Sequence, residues 1–141
     1  MIQKVFITQN VSETLKIGMD FSRTLKKGSC ILLTGNLGSG KTVFVKGIAK
    51  GLGIKKTVSS PSFLLVKEYP EKNFIHIDLY RVKSAYEFFS SGLNEYLNNI
   101  NISAIEWGEK IKKFIEFNHY LINISILEKN KRKIEINKIC F

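Results

Sequence analysis

The chain has 141 residues, 44% of them hydrophobic and 24% charged, with a formal net charge of +10. That is one domain's worth of sequence, long enough to hold a core without disulfides or a structural metal and too apolar for a disordered chain. No apolar run approaches the ~18 residues of a membrane span, and the N-terminus lacks the basic-then-apolar layout of a secretion signal.

Residues 3–8 (QKVFIT) read as a strand, and Asn10 with Glu13 forms a helix-starting capping box. The helix it opens is expected to reach Lys27, with Lys26 and Lys27 at its negative end and Gly28 as its stop. Cys30–Thr34 (CILLT) is an apolar run fit for a strand covered on both faces. A glycine-rich loop, Gly35–Gly40, leads into a helix from Lys41 to about Leu52, whose Phe44, Ile48 and Leu52 share a face. Residues 57–62 form a polar loop, Phe63–Tyr69 a strand stopped by Pro70, and Phe74–Asp78 (FIHID) a second strand ending in an acid. Residues 84–98 read as one or two short helices broken near Gly92, and Ile102–Trp107 (ISAIEW) as a further buried strand with an acid at its end. A short helix is expected around Lys110–Phe114. The alternation of Ile122, Ile124 and Ile126, then of Ile134 and Ile136, across the turn EKNKRK marks a C-terminal β-hairpin with one buried face. The pattern is that of a single α/β domain, residues 1–141, with a mixed central sheet flanked by helices.

The octet Gly35-Asn36-Leu37-Gly38-Ser39-Gly40-Lys41-Thr42 fits G-x-x-x-x-G-K-[ST], with an apolar strand before it and an amphipathic helix after it. Glycines let the backbone take positive φ and bring its N–H groups against phosphate oxygens, and the helix aims its positive end at the same anion. In such loops the lysine, here Lys41, reaches the β and γ phosphates, and the hydroxyl, here Thr42, binds Mg²⁺. The N-K-x-D signature of guanine selection is missing, since Asn130-Lys131 runs on to Arg132-Lys133 and Asn137-Lys138 to Ile139-Cys140. ATP is therefore the expected nucleotide.

A nucleotide loop of this kind needs a carboxylate at a neighbouring strand end to hold the metal. Asp78 and Glu106 each follow an apolar strand whose tip reaches the ligand edge of an open sheet. One of the two would hold the metal and the other orient the attacking water. Arg81, three residues past Asp78, either offsets transition-state charge, binds a partner's carboxylate or pins the loop. His76 reads as a hydrogen-bonded structural residue. Trp107 fits the core, or the edge of the metal site. Ser59–Phe63 is where such folds keep a hydroxyl that senses the γ-phosphate, although Ser-Pro also suits a plain turn.

The charge follows the same division. Of 22 basic residues 19 are lysines, and residues 1–60 carry ten basic and two acidic side chains against twelve and ten in the remainder. A nucleic-acid reader would show more arginine, and the positive half is the one that holds the glycine-rich loop. Cys30 and Cys140 have neither metal-ligand nor redox spacing, which suits a reduced, cytoplasmic chain, with Cys30 in the core.

Taken together, GNLGSGKT at Gly35–Thr42, SPSF at Ser60–Phe63, HIDLYR at His76–Arg81 and EWGE at Glu106–Glu109 resemble the TsaE (YjeE) family over about residues 10–110. One departure is Ser62, where the family more often has threonine; the hydroxyl is kept. The resemblance implies a small Mg²⁺-dependent ATPase of tRNA threonylcarbamoyladenosine synthesis. Such a protein is slow alone and acts with the TsaD and TsaB proteins, which modify adenosine 37 of tRNAs reading codons that start with A. Contact with tRNA would then be indirect, through that complex, and no membrane is involved. It further implies that Lys41 holds the phosphates and that Thr42 and Glu106 bind Mg²⁺. Ser60 and Ser62 would form one switch, Asp78, Tyr80 and Arg81 a second, and Trp107 would support Glu106. The basic turn Lys129–Lys133 is a candidate for partner or anion contact only. Two other readings stay open: a small-molecule kinase, against which three arginines argue, and a module that binds ATP without hydrolysing it.

Overall fold

A computed structural model describes residues 2–59 and 65–141. Seven strands form one sheet in the order β1-β7-β6-β2-β5-β4-β3. The strands are β1 (Ile2–Thr8), β2 (Cys30–Thr34), β3 (Val66–Tyr69), β4 (Phe74–Asp78), β5 (Ile102–Glu106), β6 (His119–Ile126) and β7 (Arg132–Ile139). The helices are α1 (Val11–Ser22), α2 (Lys41–Gly51) and α3 (Ala85–Ser90). The four central strands, β6, β2, β5 and β4, run parallel, while β3, β7 and β1 pair antiparallel with their neighbours. The sheet is therefore mixed, as the strand pattern predicts.

Burial follows the two-residue period of a strand. On β2, Ile31 and Leu33 pack toward α1 and α2, while Cys30 and Leu32 pack toward α3 and the segment after β5. Covering both faces is what makes CILLT an uninterrupted apolar run. Burial pushes the Cys30 thiol up to about 12, so almost no thiolate forms there near pH 8. A native chain at pH 8 should therefore show one titratable thiol, the exposed Cys140, and two in denaturant. Two fast thiols in the native chain would contradict the burial of Cys30.

The helix pair α1–α2 is close because small residues line its crossing. A Cβ on Gly47 would come 2.3 Å from the Leu15 carbonyl oxygen, and one on Gly18 would come 2.5 Å from that of Phe44. This contact fixes α2, and with it the loop that α2 extends.

The structure differs from the sequence reading at several points, among them the end of β5, which stops at Glu106 and not at Trp107. Helix α1 does open at the Asn10 cap, where the side chain accepts from Glu13 N–H at 2.9 Å. It stops at Ser22, five residues before Lys27, because hydroxyls compete for its last carbonyls. Ser22 Oγ donates to Met19 O at 2.6 Å and Thr24 Oγ1 to Phe21 O at 2.8 Å. Strand β3 starts at Val66, after Leu65 at φ 61°. In place of one helix near Lys110–Phe114 there are two 3₁₀ turns, Gly108–Lys110 and Lys112–Phe114. Of the hairpin isoleucines, Ile122, Ile124, Ile134 and Ile136 are buried, but Ile126 is 47% exposed, since it sits at the last pair before the turn.

Candidate functional site

The parallel strands bring three tips to one edge of the sheet. Leu33 of β2 and Asp78 of β4 both pair with Glu106 of β5, so the glycine-rich loop and both acids leave the sheet side by side. A cavity of about 450 Å³ lies there, lined by residues 37–43, Leu65, Asp78, Tyr80, Arg81, Glu106 and Trp107. An open parallel sheet places ligands at this edge.

The loop has the backbone its sequence demands, with φ of 145° at Gly35, 78° at Gly38 and 110° at Gly40. Gly35 also passes so close to β6 that a Cβ would lie 2.4 Å from Ile124 O. No side chain caps α2, and its first turn carries no acid, so its leading N–H groups face the cavity end with their positive potential intact. Ser39 N–H donates back to Asn36 O at 3.0 Å, which closes the loop on itself. The Ser39 hydroxyl is buried and has no hydrogen-bond partner among the described residues. Asn36 and Leu37 stand exposed at the loop tip.

Lys41 lies inside this arch, 4% exposed. Its Nζ donates to the carbonyls of Gly35 and Asn36 and lies 4.0 Å from the centroid of the Trp107 ring. Burial holds its pKa below the usual lysine value, with Glu106, Glu109 and Asp78 pulling the other way. Thr42 Oγ1 sits 3.0 Å from each Glu106 carboxylate oxygen. Glu106 is buried, and its Oε2 also contacts His76 Nε2 at 2.6 Å. His76 is fully buried, a hydrogen-bonded strand histidine as its position suggests, and its partner is the acid of the next strand.

Asp78 Oδ1 accepts from Tyr80 N–H at 2.9 Å, a tight Asx turn that starts the loop after β4. Tyr80 and Arg81 are exposed on that loop and line the cavity. Trp107, for which the sequence offers the core first and the site edge second, meets both: it lines the cavity and packs on the core cluster beside β5. It is half-buried, has φ 61°, and its ring lies 5.3 Å from that of Tyr80. Ser60 and Ser62 lie outside the described residues, as do Pro61 and Phe63.

Two further residues are tied to the site: Lys110, to which the sequence reading gives no role, and Arg132, which it places in the basic turn Lys129–Lys133 as a candidate for partner or anion contact only. Lys110 Nζ donates to the carbonyls of Leu79 at 2.7 Å, Tyr80 at 2.9 Å and Val82 at 2.8 Å, so one ammonium pins the whole loop after β4. Its only sequence signal is its place just past EWGE. Arg132 reaches the glycine-rich loop from β7, 92 positions beyond Gly40 in the chain, and no spacing rule connects them.

A sequence model of the family described as "Threonylcarbamoyl adenosine biosynthesis protein TsaE" matches residues 8–134. Relatives named tRNA threonylcarbamoyladenosine biosynthesis protein TsaE include one from Treponema pallidum, 34% identical over 131 residues, covering 92% of this chain and 97% of its own. Another, from Aquifex aeolicus, is 39% identical over 139 residues, covering 94% and 95%. A third, from Rickettsia felis, is 38% identical, covering 94% and 78%. Among solved structures, that of Bacillus subtilis YdiB superposes with a TM-score of 0.82 at 30% identity, over 99% of this chain and 87% of that one.

Proposed function

The chain belongs to the TsaE family of tRNA threonylcarbamoyladenosine biosynthesis, and from that premise we propose that it binds Mg²⁺-ATP at the Gly35–Thr42 loop and hydrolyses it slowly. The observation that carries this reading is the single cavity edge shared by the uncapped start of α2, Lys41, Thr42 and Glu106. Loop N–H groups and the Lys41 ammonium complement the β and γ phosphates, and the ring of Trp107 closes one side of that space. Tyr80 and Arg81 stand where a partner protein would meet the bound nucleotide.

The donor set fits magnesium. Thr42 and Glu106 offer two hard oxygens, and no cluster of three or more His, Cys, Asp or Glu occurs among the described residues. Mg²⁺ takes one or two protein oxygens and fills its shell with phosphate and water, so it would arrive with the nucleotide. When bound it neutralises phosphate charge as the β–γ bond breaks. In this reading Asp78 orients the water whose oxygen bonds to the γ-phosphorus, ADP leaves with the bridging oxygen, and His76 holds the Glu106 carboxylate in place from behind.

The threonylcarbamoyl transfer itself belongs to partners, the TsaD and TsaB proteins, with tRNA engaged through them. Hydrolysis would reset or drive that complex. Single-turnover hydrolysis of bound ATP, with and without TsaD–TsaB, tests this directly. Turnover that rises with the partners supports it. An ATP-dependent complex that forms and works with no hydrolysis would replace it by the non-hydrolysing module, and phosphate transfer to an added nucleoside would replace it by the kinase.

A further inference from the structure

Arg132 is the first residue of β7, and among the described residues it does not pair with an acid. Its partners among the described residues are five backbone carbonyls. Nε donates to Ser39 O at 2.9 Å and Nη2 to Gly38 O at 3.3 Å, both in the glycine-rich loop. Nη1 is shared by the carbonyls of Glu128 at 3.3 Å, Lys129 at 3.1 Å and Lys131 at 3.3 Å, all in the β6–β7 turn. One half-buried guanidinium thus joins two segments that lie about ninety positions apart.

The same hairpin braces the other end of the loop. Thr34 Oγ1 donates to Asn123 Oδ1 at 2.8 Å, and Gly35 packs against the Ile124 carbonyl. A backbone that grips a polyanion must turn its N–H groups inward, and the carbonyls then point outward and need donors of their own. A planar guanidinium supplies several donors in one rigid fork, and a lysine does not.

We propose that Arg132 is a positioning residue for phosphate binding: through Ser39 O it holds the Ser39–Gly40 peptide in the orientation that leaves its N–H for the anion, through Gly38 O it fixes the turn that Ser39 N–H closes on Asn36 O, and it makes the β6–β7 turn a working part of the nucleotide site. This rests on the nucleotide reading above. It acts through the loop backbone, so its effect falls on ground-state binding of the phosphates and spares the chemical step.

The test is calorimetric titration of ADP and steady-state hydrolysis of ATP by the full chain, its Arg132→Lys variant and a charge control. Lys138→Gln, six residues along the same strand and exposed, removes a charge without touching the loop. Arg132→Lys keeps the charge and loses the fork. The expected result is about a tenfold loss of ADP affinity and a matching rise in KM for Arg132→Lys, with kcat within about twofold and full binding stoichiometry. Lys138→Gln should match the parent chain. A merely structural role would lower the stoichiometry or kcat and leave no such split. An Arg132→Lys variant that binds ADP as tightly as the parent overturns the proposal, while a parent chain that binds no ADP overturns the nucleotide reading beneath it. Hydrogen exchange on the parent chain decides the matter even if the variant folds poorly. On adding ADP the amides of residues 128–131 should gain protection together with those of 36–40, and protection confined to the loop would refute the coupling.

Discussion

Lys41→Ala is expected to weaken ADP binding by roughly 10²-fold, the scale of a lost charged hydrogen-bond pair, and to abolish ATP turnover. The folded chain should at the same time be no less stable. Burial depresses the Lys41 pKa more than Glu106, Glu109 and Asp78 restore it, so the folded state holds this proton less firmly than the unfolded one. The resulting penalty is fully present at neutral pH, and it fades only as pH rises through the lowered value toward 10.5. Removing the ammonium removes that cost. The variant should therefore melt at the parent temperature or above it while losing the upward shift that ADP is expected to give the parent. ADP affinity of the parent should also fall on the alkaline side earlier than an ordinary lysine would dictate, because the protonated form is the one that would meet phosphate. A Lys41→Ala chain that binds ADP within threefold of the parent would remove Lys41 from the site.

How much of this was legible in the sequence follows from the range of each interaction. The octet at Gly35–Thr42 is local: its glycines, its lysine and the strand and helix around it are adjacent in the chain, and the backbone at Gly35, Gly38 and Gly40 has the positive φ that the motif requires. Asp78 and Glu106 could be placed at strand ends because an apolar run ending in an acid is also a local pattern. Their side-by-side pairing is a property of the sheet order, which no single segment encodes. The hydrogen bond from His76 to Glu106 depends on that order too, and so do the contacts of Lys110 and Arg132 with backbone carbonyls. A carbonyl is the same in every residue, so a side chain that binds carbonyls leaves no complementary residue type in the sequence to be recognised. The early stop of α1 is a milder case. Ser22 and Thr24 are poor helix interiors whose hydroxyls find helix carbonyls, and that local competition outweighs the end signal of Lys26 and Lys27.

Glu106→Gln is expected to lower hydrolysis by about 10²–10³-fold while leaving Mg²⁺-free ADP binding intact or tighter. The substitution keeps the shape, so the side chain still fills the buried space between Thr42 and His76. It removes the negative charge, and with it the partner proposed for Mg²⁺ and a repulsion that a bound polyphosphate would feel. The measurement is ADP affinity in EDTA and in magnesium, set beside single-turnover hydrolysis. The parent should gain affinity with magnesium and the variant should not. Loss of the Glu106 charge also removes the largest of the carboxylate contributions that prop up the Lys41 pKa, so the alkaline fall in ADP affinity should move to lower pH in the variant. Asp78→Asn distinguishes the two acids. If Asp78 orients water, its amide variant keeps the magnesium-dependent gain in affinity and loses turnover. If instead Asp78→Asn loses the magnesium effect and Glu106→Gln keeps it, the roles are reversed and the metal sits at the end of β4. Hydrolysis within threefold of the parent in both variants would show that neither strand-end acid serves the reaction.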